Sequence, residues 1–208
     1  MVQFIQAQNI GIAYLEERFG LQISKDANFF TEWFELLPEI ADVEKLYLDR
    51  AKSQFLRLVN RPPIAEETVK LVILSPLLDL AGFYDEPFFI RSEQSIELSA
   101  EQEGEVVRGR IDVLVLQQRL WLLVIESKRS SWSLLEGIPQ ALTYMIANPD
   151  QAQPIFGLVT NGSDFIFIKL TNNAGLHYAL SDQFTLFKRE NELYKVLSIL
   201  KKLSQLLS

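Results

Sequence analysis

The sequence predicts a mixed α/β fold: a mixed central sheet flanked by helices, with a helical extension at the N-terminus. Three observations carry this. Apolar residues recur at helical spacing before residue 83, the period shortens between residues 88 and 127, and a helix, two short strands and a final helix follow. A chain of 208 residues can bury one substantial core, and 48% hydrophobic with 23% charged residues is an ordinary globular balance. The expected division is a helical extension over residues 1–62, packed on a core domain over 63–208.

The first helix is expected near 8–19. A long second one lies near 41–59, where Leu46, Ala51, Phe55 and Leu58 fall at helical spacing and Arg61-Pro62-Pro63 ends the run. A third, over 65–81, carries Val69, Val72, Ile73, Leu77 and Leu80; Gly82 supplies its C-cap and Pro76 should bend it. Strands follow at 88–98, 106–116 and 120–127. Residues 133–146 return to helical spacing. Ser133 and Glu136 fit a capping box there, while Gly137 and Pro139 argue for a later start or a kink. Short strands at 155–160 and 165–170 flank Asn161-Gly162-Ser163-Asp164, a turn sequence. A further short strand is expected at 177–180, and an amphipathic helix over 190–207 closes the chain.

The net charge of −7 is unevenly placed: residues 1–103 hold 9 Lys and Arg against 18 Asp and Glu, and residues 104–208 hold 11 against 9. An acidic protein is a poor non-specific DNA binder, because Lys and Arg supply most of that affinity. Nucleic-acid contact is therefore expected on the C-terminal half, where Arg108, Arg110, Arg119, Lys128 and Arg129 gather. The absence of cysteine excludes disulfides and thiolate metal sites. No apolar run reaches the length of a membrane span, and the start lacks the pattern of a secretory signal, so a cytoplasmic protein without a membrane partner is expected.

Chemistry concentrates in two apolar runs that each admit charge at one end. Gly109-Arg110-Ile111-Asp112 leads into Val113-Leu114-Val115-Leu116, and Trp121 to Ile125 leads into Glu126-Ser127-Lys128. An ionised carboxylate in such a run costs several kcal/mol unless something pairs with it. By strand alternation Asp112 shares a face with Leu114 and Leu116, and Glu126 shares one with Lys128. A two-residue hairpin loop would set Asp112 against residue 123 and send Glu126 to the wrong face. A three-residue loop at Gln117-Gln118-Arg119 sets it against residue 124, and the acids converge. The odd-length loop, or a bulge with the same effect, is predicted, because Gln-Gln suits a two-residue turn poorly.

Two converging acids repel unless a cation sits between them. Mg²⁺ is the expected occupant, with Mn²⁺ as a substitute: it is hard, oxygen-seeking and keeps waters that can become nucleophiles. The Ser127 carbonyl offers a further oxygen, and Lys128 would orient the water and stabilise charge on a phosphate. This reads first as a metal-dependent hydrolase site, a nuclease above others. The structural alternative is an ion pair of Asp112 with Arg110 or Lys128, with Glu126 and Lys128 ending an edge strand.

Gln140 and Tyr144 stack on one helix face and can lie along the open side of the acids; an ordinary half-exposed face is the plainer reading. Glu66 or Glu67 can reach the metal from the helix before the sheet, or simply favour that helix's N-terminus.

Asp112, Glu126-Ser127-Lys128 and Gln140-Ala141-Leu142-Thr143-Tyr144 resemble the PD-(D/E)XK nuclease superfamily, in the branch with a Gln-x-x-x-Tyr element. The run Glu66, Lys70, Pro76-Leu77-Leu78, Ala81-Gly82-Phe83, Arg110-Ile111-Asp112, Ile125 to Lys128 and Leu158 to Gly162 resembles the N-terminal nuclease domain of type I restriction enzyme R subunits, including stand-alone forms. The resemblance covers about residues 64–170. It implies a restriction-endonuclease-like core, Asp112 and Glu126 as Mg²⁺ ligands and Lys128 as the catalytic lysine. It also implies Gln140 and Tyr144 as supports of site and substrate, and Glu66 as the helix acid with Glu67 as fallback. Gly109 departs from the punctuation expected before the Asp. No Gly-x-x-x-x-Gly-Lys-Ser/Thr phosphate loop is present, so no ATP-driven motor is expected in this chain.

The leading expectation is a Mg²⁺-dependent DNA endonuclease, with protein partners supplying specificity and a homodimer allowed. The alternative is a catalytically silent nuclease-fold binding module acting in a protein or DNA complex. His177, the single histidine, rules out His clusters and His-dependent triads and is read as structural. Trp132 offers a stacking surface for a base.

Overall fold

The computed structural model describes residues 3–60, 64–100, 105–117, 120–127, 133–150 and 152–207. The expectations for Arg61-Pro62-Pro63, the loop residues Gln118 and Arg119, Lys128, Arg129 and Trp132 lie outside the described residues.

The chain begins with β1 (Gln3–Gln6), a 3-10 turn (Ala7–Asn9), α1 (Ile12–Phe19), β2 (Gln22–Ile23) and α2 (Asp42–Val59). A helical segment then runs through α3 (Glu66–Val69), a π-turn (Lys70–Leu74) and α4 (Ser75–Leu80). The meander β3 (Phe88–Ala100), β4 (Glu105–Gln117), β5 (Leu120–Ser127) leads to α5 (Leu134–Ile146). Next come β6 (Ile155–Thr160), β7 (Asp164–Thr171), β8 (His177–Leu180), β9 (Phe184–Thr185) and α6 (Leu193–Leu207). The strands form one mixed sheet in the order β1-β4-β5-β6-β7-β8-β2, with β3 on β4 and β9 on β7. The mixed α/β architecture matches the expectation. No helix among the described residues is long and apolar enough to cross a membrane.

Apolar side chains on the two sheet faces feed two cores. Leu48 and Phe55 of α2, Leu74, Leu77 and Leu200 pack with Val113, Val115, Ile125, Phe165 and Phe167 on one side. Leu15 of α1 and Ile138, Leu142 and Met145 of α5 pack with Leu114, Leu116, Val159, Ile166 and Ile168 on the other. The β6–β7 turn forms as its sequence predicts. The Asn161 side-chain oxygen accepts from the Ser163 and Asp164 amides at 3.1 and 2.8 Å, and Gly162 has a φ of +87°. A Cβ at Gly162 would also overlap the Phe55 ring, so the turn fixes α2 to the sheet.

The first sixty residues do more than supply helices. β1 pairs in parallel with residues 105–108 of β4, and β2 pairs in parallel with β8. These strands escape periodicity because they are four and two residues long, and no residue of either is buried. The segment expected as one bent helix is helical throughout residues 66–80, and Pro76 sits two residues past the π-turn, inside the run. The π-turn ahead of it absorbs the irregularity. Ser133 caps α5, accepting from the Leu135 amide at 3.3 Å, so the helix starts early and carries Pro139 inside.

β4 positions the site. One edge is paired with β3 along its length, while the other is shared: β1 takes residues 105–108 and β5 takes residues 113–117. Residues 109–112 lie between, with no strand partner on that edge among the described residues. The side-chain assignment also inverts there. Val107 and Ile111 belong to the α5-side core, whereas Val113 and Val115, of the same parity, belong to the α2 side. Across the ladder, Glu93 has a φ of +56°, and the regular β3–β4 pairing omits only the Glu93–Asp112 step. The simple alternation expected of Asp112 with Leu114 and Leu116 is therefore corrected: the strand turns over at Asp112.

Candidate functional site

Val113 pairs with Ile125, so the register carried one step further sets Asp112 directly opposite Glu126 rather than against residue 124. The even offset comes from a bulge: Gln117 pairs with Leu120 and Leu116 with Trp121, then the register shifts between Leu116 and Val115. The convergence expected of an odd-length loop is thus produced inside the ladder.

Glu126 is 2% exposed. Its parallel partner Val159 lies in the α5-side core, so the carboxylate points toward α5. Opposite it, Tyr144 is 1% exposed. The Tyr144 hydroxyl accepts a 2.6 Å hydrogen bond from Gln140 Nε2 and another from the Arg110 backbone amide, which the gap in the β4 edge leaves available. Burial first, then the negative charges of Glu126 and Asp112, push the Tyr144 pKa upward, so the phenol stays neutral. Gln140 and Tyr144 form a buried, bonded pair rather than a half-exposed face. Gly109 has a steric reason to lack a side chain: a Cβ there would lie 2.5 Å from Tyr144 Cε1 and 2.8 Å from Ala7 Cβ.

Asp112 is held from the opposite layer. Lys70, the first residue of the π-turn, donates to Asp112 Oδ1 at 2.8 Å and to Glu93 Oε1 at 3.1 Å. Burial alone would lower the Lys70 pKa, but the two carboxylates outweigh it and raise it. Burial would likewise raise that of Glu93; Lys70 and then Arg110, whose guanidinium lies 3.2 Å away, bring it below the usual range. The ion pair expected as the structural alternative for Asp112 thus forms with Lys70, a residue the sequence reading left without a role. Its signal was faint: Lys70 follows Glu66 by one helical turn. Glu66 is half-buried and Glu67 exposed, so Glu66 lies on the inward side.

Arg108 and Arg110, expected to meet nucleic acid, are exposed. Arg108 stacks 3.6 Å over the Phe4 ring and bridges to Glu97 at 2.8 Å. A cleft of about 510 Å³ runs past Gln6, Gln8, Arg108, Arg110, Gln140 and Tyr144. A second, of about 240 Å³, borders Lys70, Glu93 and Asp112. His177 lies 3.1 Å from the Gly175 carbonyl and takes no part in the site.

Among the described residues no three Asp, Glu or His side chains gather into a metal cage. The donors present still suit a hard divalent ion that keeps most of its waters. Such an ion needs one or two carboxylates, and the β4–β5 register carried one step past Val113–Ile125 brings Asp112 and Glu126 opposite each other. The Ser127 carbonyl, at the end of β5, is the third oxygen proposed.

The family model described as type I restriction enzyme R protein N terminus matches residues 29–175. No curated protein matches the chain. Among solved structures, a fragment of a protein described as an HsdR subunit of a type I restriction enzyme from Vibrio vulnificus YJ016 is similar. It has 21% sequence identity and a TM-score of 0.42, covering 59% of this chain and 24% of that one.

Proposed function

Because this chain belongs to the family of the type I restriction enzyme R protein N terminus, we propose that it is a metal-dependent DNA endonuclease acting at Asp112 and Glu126. The observation that supports it most is the β4–β5 register, which, carried one step past Val113–Ile125, sets these carboxylates opposite each other. Asp112, Glu126 and the Ser127 carbonyl would hold Mg²⁺, or Mn²⁺ in its place. When bound, the ion supplies an acidified water and neutralises charge on the phosphate.

The chain's own groups do the rest. Tyr144 accepts two hydrogen bonds and keeps its proton, so it would serve as a donor toward the carboxylates. Gln140 fixes that hydroxyl. Lys128 would guide the attacking water and balance the developing charge on phosphate. The nucleic-acid strand would enter along the cleft bordered by Arg108 and Arg110.

A second reading, a binding module without catalysis, is favoured by the net charge of −7 and by the lysine already paired with Asp112. Plasmid nicking in Mg²⁺ or Mn²⁺, abolished by Asp112→Ala and by Lys128→Ala, is the expected result. Intact plasmid together with no heat on Mn²⁺ titration would leave the module standing. Mn²⁺ heat that is equal for wild type and Glu126→Gln would remove Glu126 from the ligand set.

A further inference from the structure

Lys70, Asp112 and Glu93 form a three-charge chain of which the proposed hydrolysis uses only Asp112. One ammonium is shared by two carboxylates, at 2.8 Å from Asp112 and 3.1 Å from Glu93. The sharing is built into the backbone. Glu93 holds a left-handed φ in mid-strand, a strained conformation for a residue with a side chain, at the one step where the β3–β4 pairing lapses. Lys70 stands at the start of a π-turn, a wider turn that re-aims a helix face. The π-turn also seats Ile73 and Leu74 in the core. Both irregularities bring charge to Asp112. The two carboxylates are unequal hosts: Asp112's side chain is 12% exposed, Glu93's is 50% exposed, and Glu93 has Arg110 as a second cation.

We propose that Lys70 and Glu93 form a cation-exchange pair that governs metal entry at Asp112. The Lys70 ammonium and a divalent ion compete for the Asp112 carboxylate, and Glu93 retains the ammonium when the ion takes Asp112. Asp112 exchanges one cationic partner for another, the local charge rises by the two units the ion brings, and Lys70 keeps a carboxylate partner throughout. Lys70 is then a positioning residue that sets metal affinity, and Glu93 is its second seat. This rests on Asp112 being a metal ligand, as proposed above.

The exchange makes a prediction that simple electrostatics does not. Glu93→Gln should weaken metal binding only while Lys70 is present, because its role is to hold the displaced ammonium. Calorimetric titration of the full chain with Mn²⁺ tests this in wild type, Lys70→Met, Lys70→Arg, Glu93→Gln and the Lys70→Met/Glu93→Gln pair. Thermal unfolding confirms the fold of each. Lys70→Met should bind Mn²⁺ about tenfold more tightly, since one competing unit charge is gone. Lys70→Arg should return toward the wild-type affinity. Glu93→Gln should bind several-fold more weakly on its own and lose that effect in the double variant, giving clear non-additivity. Equal affinity in wild type and Lys70→Met, or additive effects across the cycle, overturns the exchange and leaves the metal site standing. No Mn²⁺ heat in any folded variant overturns both.

Discussion

Asp112 and Glu126 each lie one step past the last β4–β5 pair, Val113–Ile125, yet the fold secures them in opposite ways. Glu126 is sealed under α5, 2% exposed, beside a neutral tyrosine whose hydroxyl is itself fixed by Gln140 and a backbone amide. Asp112 sits where the strand turns over, reached from the other layer by the ammonium of Lys70. One carboxylate is held by packing and the other by an exchangeable charge. The contrast shows how neighbouring strands can draw the supports of two acids from different cores. The inversion of β4 allows this. A strand of uniform alternation would give both acids the same surroundings.

The sharpest way to break the comparison is to neutralise each acid in turn. Glu126→Gln and Asp112→Asn should each lower plasmid nicking by about a hundredfold or more, since each removes a proposed ligand. They should differ in stability. Asp112→Asn frees Lys70 to Glu93 alone and should cost about 1–2 kcal/mol in urea unfolding, discounted because the pair is partly solvated. Equal nicking by wild type and Glu126→Gln would show that the buried acid is structural only.

Next in size is Gly109→Ala. Its Cβ must displace either the Tyr144 ring or Ala7, and overpacking of this kind costs about 1–3 kcal/mol. Urea midpoints measure it, and a loss of nicking larger than the loss of folded protein would place the Tyr144 hydroxyl in the site. Tyr144→Phe removes an acceptor shared by Gln140 and the Arg110 amide and should cost about 1–2 kcal/mol. A Tyr144→Phe protein as stable as wild type would mean that these donors find water instead.

The smallest effect lies far from both acids and serves as a control. Glu44 of α2 accepts from the Ala41 amide and pairs with Lys201 of α6. Burial would raise its pKa, but the bond to Lys201 and then the Ala41 amide outweigh it, so the folded-state pKa lies below the usual carboxylate range. Stability from such a group is present above its unfolded pKa and lost as pH falls through the folded one. Glu93 and Glu192 shift the same way, so unfolding free energy should begin to drop below about pH 4.5. Glu44→Gln should cost about 0.5–1 kcal/mol near neutrality, flatten part of that acid limb and leave nicking unchanged.

Much of the fold was legible because local chemistry dictated it. The period change at residue 88 and the Asn161-Gly162 turn report short-range constraints and appear where expected, while at Ser133, where the sequence left the helix start open, the structure takes the earlier one. The strands β1, β2 and β9 were not legible, being too short to show a pattern and defined only by their partners. At the site, the sequence named the acids, Gln140 and Tyr144. It missed Lys70 because a lysine on an amphipathic helix looks solvated until the π-turn and the sheet bring Asp112 within 2.8 Å.

The sequence by itself determined which groups are available: two carboxylates at the ends of apolar strands, a glutamine and a tyrosine one helical turn apart, and a glycine where nothing larger fits. These follow from spacing along the chain, which local geometry converts directly into faces and turns. Only the tertiary structure decided which of them meet. The bulge between Val115 and Leu116, the lapse at Glu93 and the inversion of β4 depend on how layers far apart in sequence press on one sheet, and register and strain of that kind are properties of the packed whole.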